Sequence, residues 1–376
     1  MSNRYLRHNL IDWFDQALLK QLDVLIIGAG AVGNEIIKTL VLLGVGRLRI
    51  VDLDRIELHN LTRSPLFTEA DIGAYKAEIA ATAALRLDPS CSIESVVGDF
   101  WRELSFADLQ RSSVVFCCVD NFEARFRLNQ LCSLLGVDLI NAGIDSRFAS
   151  VEIFPFARDP DCGCYECNIP PSTYQRMAER YSCGWLKKVA FEAQKVPTTA
   201  VTAGFAGALA AAMFLYSFRE DHEDGARRVF MDTITSIITK SALPRRETCP
   251  NCSNQFANRI VLRASRNLAE SGVWRDLSTD ITLQLSDPIL ASWRAPNCPD
   301  CAAFPATEVF ELADKFDDSL TYCDKCRMNQ RLVDIRDQFT LKELRERFAG
   351  RPLPGKFVSF NTDGVQVIFE LYDGGT

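Results

Sequence analysis

Residues 28–67, GAGAVGNEIIKTLVLLGVGRLRIVDLDRIELHNLTRSPLF, decide the fold of this chain. They directly follow a short apolar run, DVLII, that is typical of a buried strand. Gly28, Gly30 and Gly33 form a GxGxxG motif that opens a helical pattern, and a second apolar run, RLRIVDLD, comes after it. The order strand, glycine loop, helix, strand predicts a helix N-terminus that a phosphate group can approach closely.

Strands and helices keep alternating up to about residue 155. Apolar runs at SIESVVGDF, SSVVFCCVDN and VDLINAGI are separated by helical patterns such as FEARFRLNQLCSLLG. This alternation predicts an α/β fold with a mostly parallel sheet flanked by helices. We interpret residues 1–20 as an amphipathic helix and RRVFMDTITSIITK as strand material, and PRRETCPNC closes the unit.

A length of 376 residues favours two domains. We predict an α/β domain over 1–253 with an irregular excursion at about 157–195, where the alternating pattern is lost. The remainder, 254–376, combines strand-like pieces with CxxC steps and is predicted to be a small β-rich domain. Its tail, KFVSFNTDGVQVIFEL, is predicted to form a β-hairpin with an Asp-Gly turn at 363–364.

The composition excludes several classes of protein. Hydrophobic residues make up 47% and charged residues 24%, which excludes wholesale disorder. The net charge of −7 disfavours nucleic acid and anionic membranes as partners. The polar N-terminus has no signal-peptide core, so we expect a cytoplasmic protein with reduced thiols. We interpret the uncharged stretch 196–218 as a helix buried on all sides rather than a membrane span.

Charged residues beyond the glycine loop indicate which nucleotide is bound. Asp52 ends the second strand, where a carboxylate holds a ribose hydroxyl, and this feature fits NAD and ATP equally well. Arg63 and Lys76 can neutralise a triphosphate, and Asp120, after the apolar run VVFCCV, can hold Mg²⁺. This set favours ATP. The alternative is an NAD dehydrogenase, and a melting assay that compares protection by ATP and by NADH would distinguish the two.

In their order and spacing, these motifs resemble the adenylation domain of ubiquitin-activating enzymes and their bacterial relatives, the ThiF–MoeB–HesA family, over about residues 1–252. The resemblance implies a Rossmann-like fold and a role for each matched residue. The implied roles are as follows: Gly28, Gly30 and Gly33 line the nucleotide; Asp52 binds the ribose, with Asp54 close by; Asn60, Arg63 and Lys76 contact the phosphates; and Asp120 binds Mg²⁺.

The N-terminal segment Arg4-Tyr5-Leu6-Arg7-His8 also resembles the Arg-Tyr-x-Arg of this family. There the second arginine reaches into the ATP site of a partner subunit. The resemblance therefore implies that Arg7 completes the site of a second copy and that the chain is a homodimer. The alternative is that Arg7 is an ordinary surface arginine.

The resemblance implies an activity in which the C-terminal glycine of a ubiquitin-like or sulfur-carrier β-grasp protein attacks the α-phosphate of ATP. Cys183, in RYSCGWLKK, lies where relatives place an acceptor cysteine, and the nearby cations Arg180, Lys187 and Lys188 favour its thiolate. Attack of this thiolate on the adenylate would form a thioester for transfer to a conjugating enzyme. The alternatives are that Cys183 is a free surface thiol or an extra zinc ligand.

Fourteen cysteines point to metal binding in a reducing compartment. Two pairs of CxxC steps each suggest a structural Cys₄ zinc site, and the family has such a zinc at the first pair. Cys162 leaves the choice of ligands there open by one residue, while four other cysteines lie in apolar runs and are predicted core residues. The predicted ligands are Cys164, Cys167, Cys249 and Cys252 for the first site, and Cys298, Cys301, Cys323 and Cys326 for the second; the predicted core cysteines are Cys91, Cys117, Cys118 and Cys132.

Other functions fit parts of the pattern. One is a sulfur-carrier adenylyltransferase for thiamin or molybdopterin sulfur transfer. Another is a relative that adenylates a small molecule or tRNA without a thioester, and a third is a non-catalytic zinc scaffold. The C-terminal module and the lack of a recognisable rhodanese domain favour transfer to a conjugating enzyme. The three histidines form no hydrolase motif.

Overall fold

The structure is a computed structural model. It describes residues 4–170, 172–173, 197–219, 224–252, 258–270, 272–299, 301, 306–313, 323, 325–326 and 331–373. These residues divide into two compact units. The first comprises residues 4–169 and 197–252, and the second comprises 170, 172–173 and the described residues from 258 onward.

An eight-stranded sheet forms the centre of the first unit. Its strands are β1 (Asp23–Ile27), β2 (Arg47–Asp52), β3 (Ser92–Val97), β4 (Val114–Cys117), β5 (Leu139–Ile144), β6 (Phe148–Phe154), β7 (Arg227–Asp232) and β8 (Ile237–Ala242). Their order across the sheet is β3-β2-β1-β4-β5-β6-β7-β8. The first five strands in this order are parallel to one another, and β6, β7 and β8 continue the sheet in antiparallel fashion. The predicted α/β fold with a mostly parallel sheet is confirmed.

Helices connect the strands of the first unit. They are α1 (Gln16–Leu19), α2 (Ala31–Leu43), α3 (Lys76–Leu87), α4 (Phe100–Glu103), α5 (Phe106–Gln110), α6 (Phe122–Leu135) and α7 (Ala200–Tyr216), with short 3₁₀ turns at His8–Leu10, Leu58–Thr62, Glu69–Asp71 and Tyr165–Asn168. Helix α2 ends where Gly44 adopts a left-handed conformation with φ of 85° and its N–H bonds to the Leu40 and Val41 carbonyls.

The N-terminal helix predicted over 1–20 is wrong. The chain instead forms the 3₁₀ turn His8–Leu10, becomes extended at Ile11, and starts again as the four-residue α1. The Asp15 side chain accepts a hydrogen bond from the Leu18 N–H and so begins this second, separate helix. A cap in the middle of the segment therefore divides the pattern that resembled one amphipathic helix.

Helix α7 is the uncharged segment of the sequence. It packs against α2, β5 and β6, and Gly207 makes this possible because a Cβ there would lie 2.4 Å from the Glu35 Cβ. The prediction that the helix is buried on all sides is wrong, since Val201 is 58% and Phe205 42% exposed. Within the described parts of the chain, no helix has the length and apolar character needed to cross a bilayer.

The second unit is rich in strands. They are β9 (Asn258–Ser265), β10 (Thr282–Arg294), β11 (Thr307–Leu312), β12 (Leu332–Thr340), β13 (Phe357–Thr362) and β14 (Val365–Tyr372), with helices α8 (Gly272–Asp276) and α9 (Leu341–Arg347). The sheet order is β11-β10-β13-β14-β9, with β12 also paired to β10. Fully buried Trp274 packs against Phe369 in its core. The predicted hairpin is confirmed as β13–β14, with positive φ at Asp363 and Gly364.

Candidate nucleotide and zinc sites

The glycine loop between β1 and α2 is shaped by close backbone approaches. Gly28 has φ of 96°, and a Cβ there would lie 2.7 Å from the Cys118 carbonyl oxygen. A Cβ on Gly33 would lie 2.0 Å from the Gly28 carbonyl oxygen. At Gly30, by contrast, a Cβ would meet nothing within 4 Å. Two of the glycines are therefore needed for packing, while Gly30 borders open space at the N-terminus of α2, where a phosphate can approach.

The loop lies at the point where the strand order of the sheet reverses. The chain runs from β1 to β2 and β3 on one side of β1, and then returns to β4 on its other side. Gly28 follows β1, and the exposed residue Asp120 follows β4 at the same edge. Ligands of open α/β sheets bind at this crevice between the carboxyl ends of neighbouring strands. The structure thus brings the glycine loop and the Asp120 loop side by side.

Two carboxylates and one lysine meet at the end of β2. Asp52 accepts hydrogen bonds from the Ala29 N–H at 2.6 Å and the Asp54 N–H at 2.8 Å. Lys76, the first residue of α3, places its Nζ 2.7 Å from an Asp54 carboxylate oxygen. Burial raises the pKa of Asp52, and the positive charge of Lys76 opposes this shift. Asp52 is therefore held against the glycine loop by hydrogen bonds. The Lys76 ammonium group nearby can give up its ion pair with Asp54 and bind a phosphate instead.

Asn60 and Arg63 lie on the 3₁₀ turn that follows β2. The Asn60 side-chain oxygen accepts a hydrogen bond from the Glu57 N–H at 2.9 Å. Arg63 donates to the His59 carbonyl oxygen at 2.7 Å. Within the described chain, the hydrogen bonds of both side chains remain inside this turn and do not reach Asp52 or Lys76. Their predicted contacts with phosphates stay a prediction.

Asn34 supports this site, and the sequence reasoning missed it. Its side-chain amide is fully buried and donates to the Ala29 carbonyl oxygen at 2.7 Å and to that of Gly30 at 3.1 Å. Its oxygen accepts the Leu66 N–H at 2.9 Å. Asn34 therefore ties the glycine loop to the segment that carries Arg63. A signal was present, because Asn34 is a polar residue within the apolar stripe of α2.

Arg125 is a second supporting residue that the sequence reasoning missed. It projects from the first turn of α6 and donates to the Val119 carbonyl oxygen, to the Asn141 side-chain oxygen and, at 3.0 Å, to the Ala142 carbonyl oxygen. These bonds fix the loop that carries Asp120. No pattern in the sequence distinguishes Arg125 from a surface arginine.

The N-terminal segment is anchored to the end of α3. The Tyr5 hydroxyl donates to the Asp88 carboxylate, and Arg4 donates to the Leu87 carbonyl oxygen at 2.5 Å. Burial and this hydrogen bond raise the pKa of Tyr5 to about 12. Arg7 itself is exposed. The segment thus presents Arg7 on the surface, and its predicted role in a partner's site stays a prediction.

The first cysteine cluster has the geometry of a tetrahedral metal site. The sulfur atoms of Cys164, Cys167, Cys249 and Cys252 all lie within 4.8 Å of one another, with separations of 3.6 to 3.9 Å for the bonded pairs. Zn–S bonds of about 2.3 Å in a tetrahedron place sulfurs about 3.8 Å apart. All four residues are buried, and Cys162 is not among the four. This cluster can bind zinc without Cys162.

Hydrogen bonds within this cluster shift the four thiols in opposite directions. Bonds with the neighbouring thiols, first that of Cys164, lower the pKa of Cys167 and of Cys249, and similar bonds raise the pKa of Cys164 and of Cys252. The Arg246 N–H also points to the Cys167 sulfur at 3.4 Å. Cys162 differs, because burial raises the pKa of its thiol to about 12. The four sulfurs at tetrahedral spacing are a donor set that fits zinc, which binds cysteine as the thiolate.

The second cluster, in the second unit, is less enclosed. The sulfurs of Cys298, Cys323 and Cys326 lie within 4.8 Å of one another, and the Cys301 sulfur is 3.6 Å from that of Cys323. Cys301 and Cys326 are half-buried. This arrangement can also bind zinc.

The remaining cysteines fall into two groups. Cys91, Cys117 and Cys132 are buried in the core as predicted, and Cys118 is partly buried against it. Burial raises the pKa of Cys91 to about 11, which keeps this thiol neutral. Cys183 lies outside the described residues.

The model of the ThiF family matches residues 3–329. The chain belongs to the ThiF family. It is 28% identical over 253 residues to the sulfur carrier protein adenylyltransferase of Thermus thermophilus, covering 66% of this chain and 88% of that enzyme. It is 33% identical over 171 residues to the SAMP-activating enzyme E1 of Haloferax volcanii, covering 45% of this chain and 62% of that enzyme. Several other relatives are likewise matched over only about half of their length.

The fold of this ThiF-family chain is similar to that of MccB from E. coli. The structure of this Microcin C7 biosynthetic enzyme in complex with N-formylated MccA is 25% identical, with a TM-score of 0.55 over 66% of this chain and 75% of that chain. The names of the relatives, adenylyltransferase and activating enzyme, confirm the prediction of an E1-like, ATP-dependent adenylyltransferase. Membership in this family implies ATP as the nucleotide.

Proposed function

We propose that this ThiF-family chain uses Mg-ATP to adenylate the C-terminal glycine of a ubiquitin-like or sulfur-carrier β-grasp protein. The observation that carries the proposal is the crevice between β1 and β4, where the glycine loop, Asp52, Asp54 and Lys76 meet beside Asp120. This crevice combines helix N–H groups for phosphates, an acid for the ribose, a cation and a carboxylate for a metal.

The reaction requires two anions to meet. A carboxylate oxygen of the carrier protein attacks the α-phosphorus of ATP, the bond from this phosphorus to the bridging oxygen breaks, and pyrophosphate leaves with the electron pair. Lys76 exchanges Asp54 for a phosphate oxygen, and Arg63 supplies a second cation. Asp120 would hold Mg²⁺, which screens the phosphate charge. Asp52, fixed by the Ala29 and Asp54 N–H groups, would accept a ribose hydroxyl.

We further propose a homodimer in which Arg7 reaches the ATP site of the partner. The exposed Arg7 side chain and its exposed apolar neighbours Leu6, Leu10 and Trp13, which are 62%, 76% and 53% exposed, support association through this segment. Mixing inactive Arg7→Ala with inactive Lys76→Ala protein tests it. Random pairing forms one complete site in each mixed dimer, so about a quarter of the wild-type sites should return. A mixture without activity would contradict the shared site.

We propose that the Cys183 thiolate then attacks the acyl-adenylate, releases AMP and holds the carrier protein as a thioester. The zinc-containing module 254–376 recruits the conjugating enzyme that accepts the carrier protein. Two structural zinc ions, one for each cysteine cluster, belong to this proposal. The supporting observations are the similarity to activating enzymes and the second cluster outside the nucleotide-binding unit.

A non-reducing gel tests the thioester. The protein is mixed with Mg-ATP and a panel of β-grasp proteins that end in glycine. A thiol-sensitive adduct that needs ATP and is absent in Cys183→Ala is the expected result. Adenylation of a panel member without such an adduct would contradict the role of Cys183 and leave adenylation in place.

A sulfur-carrier adenylyltransferase is the second candidate. It is favoured by the match to 88% of the Thermus thermophilus enzyme, whose name states this activity. In that case adenylation proceeds on a sulfur-carrier protein, and Cys183→Ala retains full adenylation. Because MccB is solved in complex with N-formylated MccA, the panel also includes free peptides.

A further inference from the structure

Both loops of the first cysteine cluster are bonded to helix α6. On the first loop, the Asn129 side-chain oxygen accepts the Tyr165 N–H at 2.9 Å, and its amide donates to the Glu166 carboxylate at 3.3 Å. On the second loop, the Asn251 amide donates to the Ser133 hydroxyl at 3.0 Å. The cluster therefore holds the second half of α6 from two directions.

The contact through Asn129 is strong because it is buried. Asn129 is fully buried and Glu166 is 7% exposed, so loss of either partner would remove a hydrogen bond that is shielded from water. The Phe126 ring packs 5.8 Å from the Tyr165 ring in the same contact. These interactions define where α6 lies along its own axis relative to the four cysteines.

The other end of α6 carries the Asp120 loop. The Asn121 side chain caps the helix by accepting the Ala124 N–H at 2.8 Å, and Asp120 directly precedes it. Arg125, in the same turn, donates to the Val119 carbonyl oxygen. Asp120 is thus continuous with a hydrogen-bonded helix, and a shift of the helix moves this carboxylate.

We propose that Asn129 is a positioning residue that transmits the fixed geometry of the first cysteine cluster through α6 to the Asp120 carboxylate. The proposal rests on the proposed role of Asp120 as the Mg²⁺ ligand. The cluster, on this view, sets the geometry of the metal carboxylate in addition to stabilising the fold. Asn129 itself contacts neither nucleotide nor metal.

A charge exchange tests this coupling. Asn129→Asp keeps an acceptor for the Tyr165 N–H but places a carboxylate against Glu166, which pushes α6 away from the loop. Adding Glu166→Gln restores a hydrogen bond with donor and acceptor exchanged. Gln130→Asp is the matched control, because it adds the same charge about 100° around the helix, away from Glu166.

The readout is the Mg²⁺ concentration at which the Mg²⁺-dependent gain in ATP affinity is half-maximal, measured by calorimetry. The zinc content of each variant is measured separately. Asn129→Asp should retain zinc and metal-free ATP affinity but need about tenfold more Mg²⁺, in the range found for coupled positions. The double variant should return to within about twofold of wild type. Gln130→Asp should match wild type.

Two results would overturn the inference. One is an unchanged Mg²⁺ requirement in Asn129→Asp with zinc retained. The other is a variant that does not fold or loses zinc while Asn251→Ala, which cuts the second link to α6, keeps both zinc and the wild-type Mg²⁺ requirement. A wild-type protein that binds Mg-ATP but adenylates no panel member would instead contradict the proposed function and leave the inference standing.

Discussion

The two cysteine clusters share their CxxC steps but differ in their surroundings. In the first, four buried sulfurs lie within 4.8 Å of one another, and both loops are hydrogen-bonded to α6, the helix that follows the Asp120 loop. In the second, three sulfurs meet this distance and two cysteines are half-buried, and among the described residues Ala295 and Trp293 pack against them. The same CxxC step thus supports the helix next to the nucleotide site in the first cluster. In the second cluster it stabilises only a small module.

Serine variants of one cysteine in each cluster should give the largest difference. Cys249→Ser should lose one zinc, lower the free energy of unfolding of the first unit by several kcal/mol and abolish ATP binding, because structural zinc contributes about 10–16 kcal/mol in small zinc-binding peptides. Cys323→Ser should lose the other zinc and keep ATP affinity within about twofold. Zinc content, denaturant unfolding and ATP calorimetry measure these effects. Equal loss of ATP binding in both variants would contradict the comparison.

Two glycines of the nucleotide loop should separate packing from binding. A methyl group on Gly33 would lie 2.0 Å from a carbonyl oxygen, so Gly33→Ala should destabilise the protein by about 3 kcal/mol or more. Gly30→Ala meets no protein atom within 4 Å and should keep its unfolding midpoint while ATP affinity falls about tenfold. Thermal unfolding and ATP calorimetry check both variants. A stable Gly33→Ala protein that binds ATP normally would show that the loop can open.

The smallest expected effect is a pH dependence at the nucleotide site. Burial raises the pKa of Asp52 above its usual 3.8, so ATP binding should weaken on acidification at a higher pH than an exposed aspartate would give. Between 3.8 and the raised value the folded protein binds more protons than the unfolded chain, so the contribution of Asp52 to stability should rise as pH falls. Binding and stability thus respond in opposite directions. Asp52→Asn should remove both responses, and ATP affinity that does not change over this range would contradict the assignment.

The sequence predicts the parts of this molecule that have local signatures. The glycine loop, Asp52 at the end of β2 and the CxxC pairs follow from spacing alone, and the structure brings Asp52, Asp54 and Lys76 together. The sequence does not reveal the bonds of Asn129 to the cysteine loop, because they join residues 36 and 37 positions apart. It does not reveal Arg125 either, because no pattern distinguishes this residue from a surface arginine. The prediction of one N-terminal helix was wrong because Asp15 caps a separate helix in the middle of the segment. Hydrophobic periodicity does not detect such an internal cap.

ATP–pyrophosphate exchange with a purified β-grasp protein, compared with the same protein lacking its terminal glycine, tests the central claim most directly. The account predicts exchange that requires Mg²⁺ and the intact glycine terminus, and that falls at least about a hundredfold in Lys76→Ala, the loss typical when a charge-stabilising group is removed. Exchange that proceeds without a carrier protein, or equally well with the truncated one, would contradict adenylation of a glycine carboxylate by this crevice.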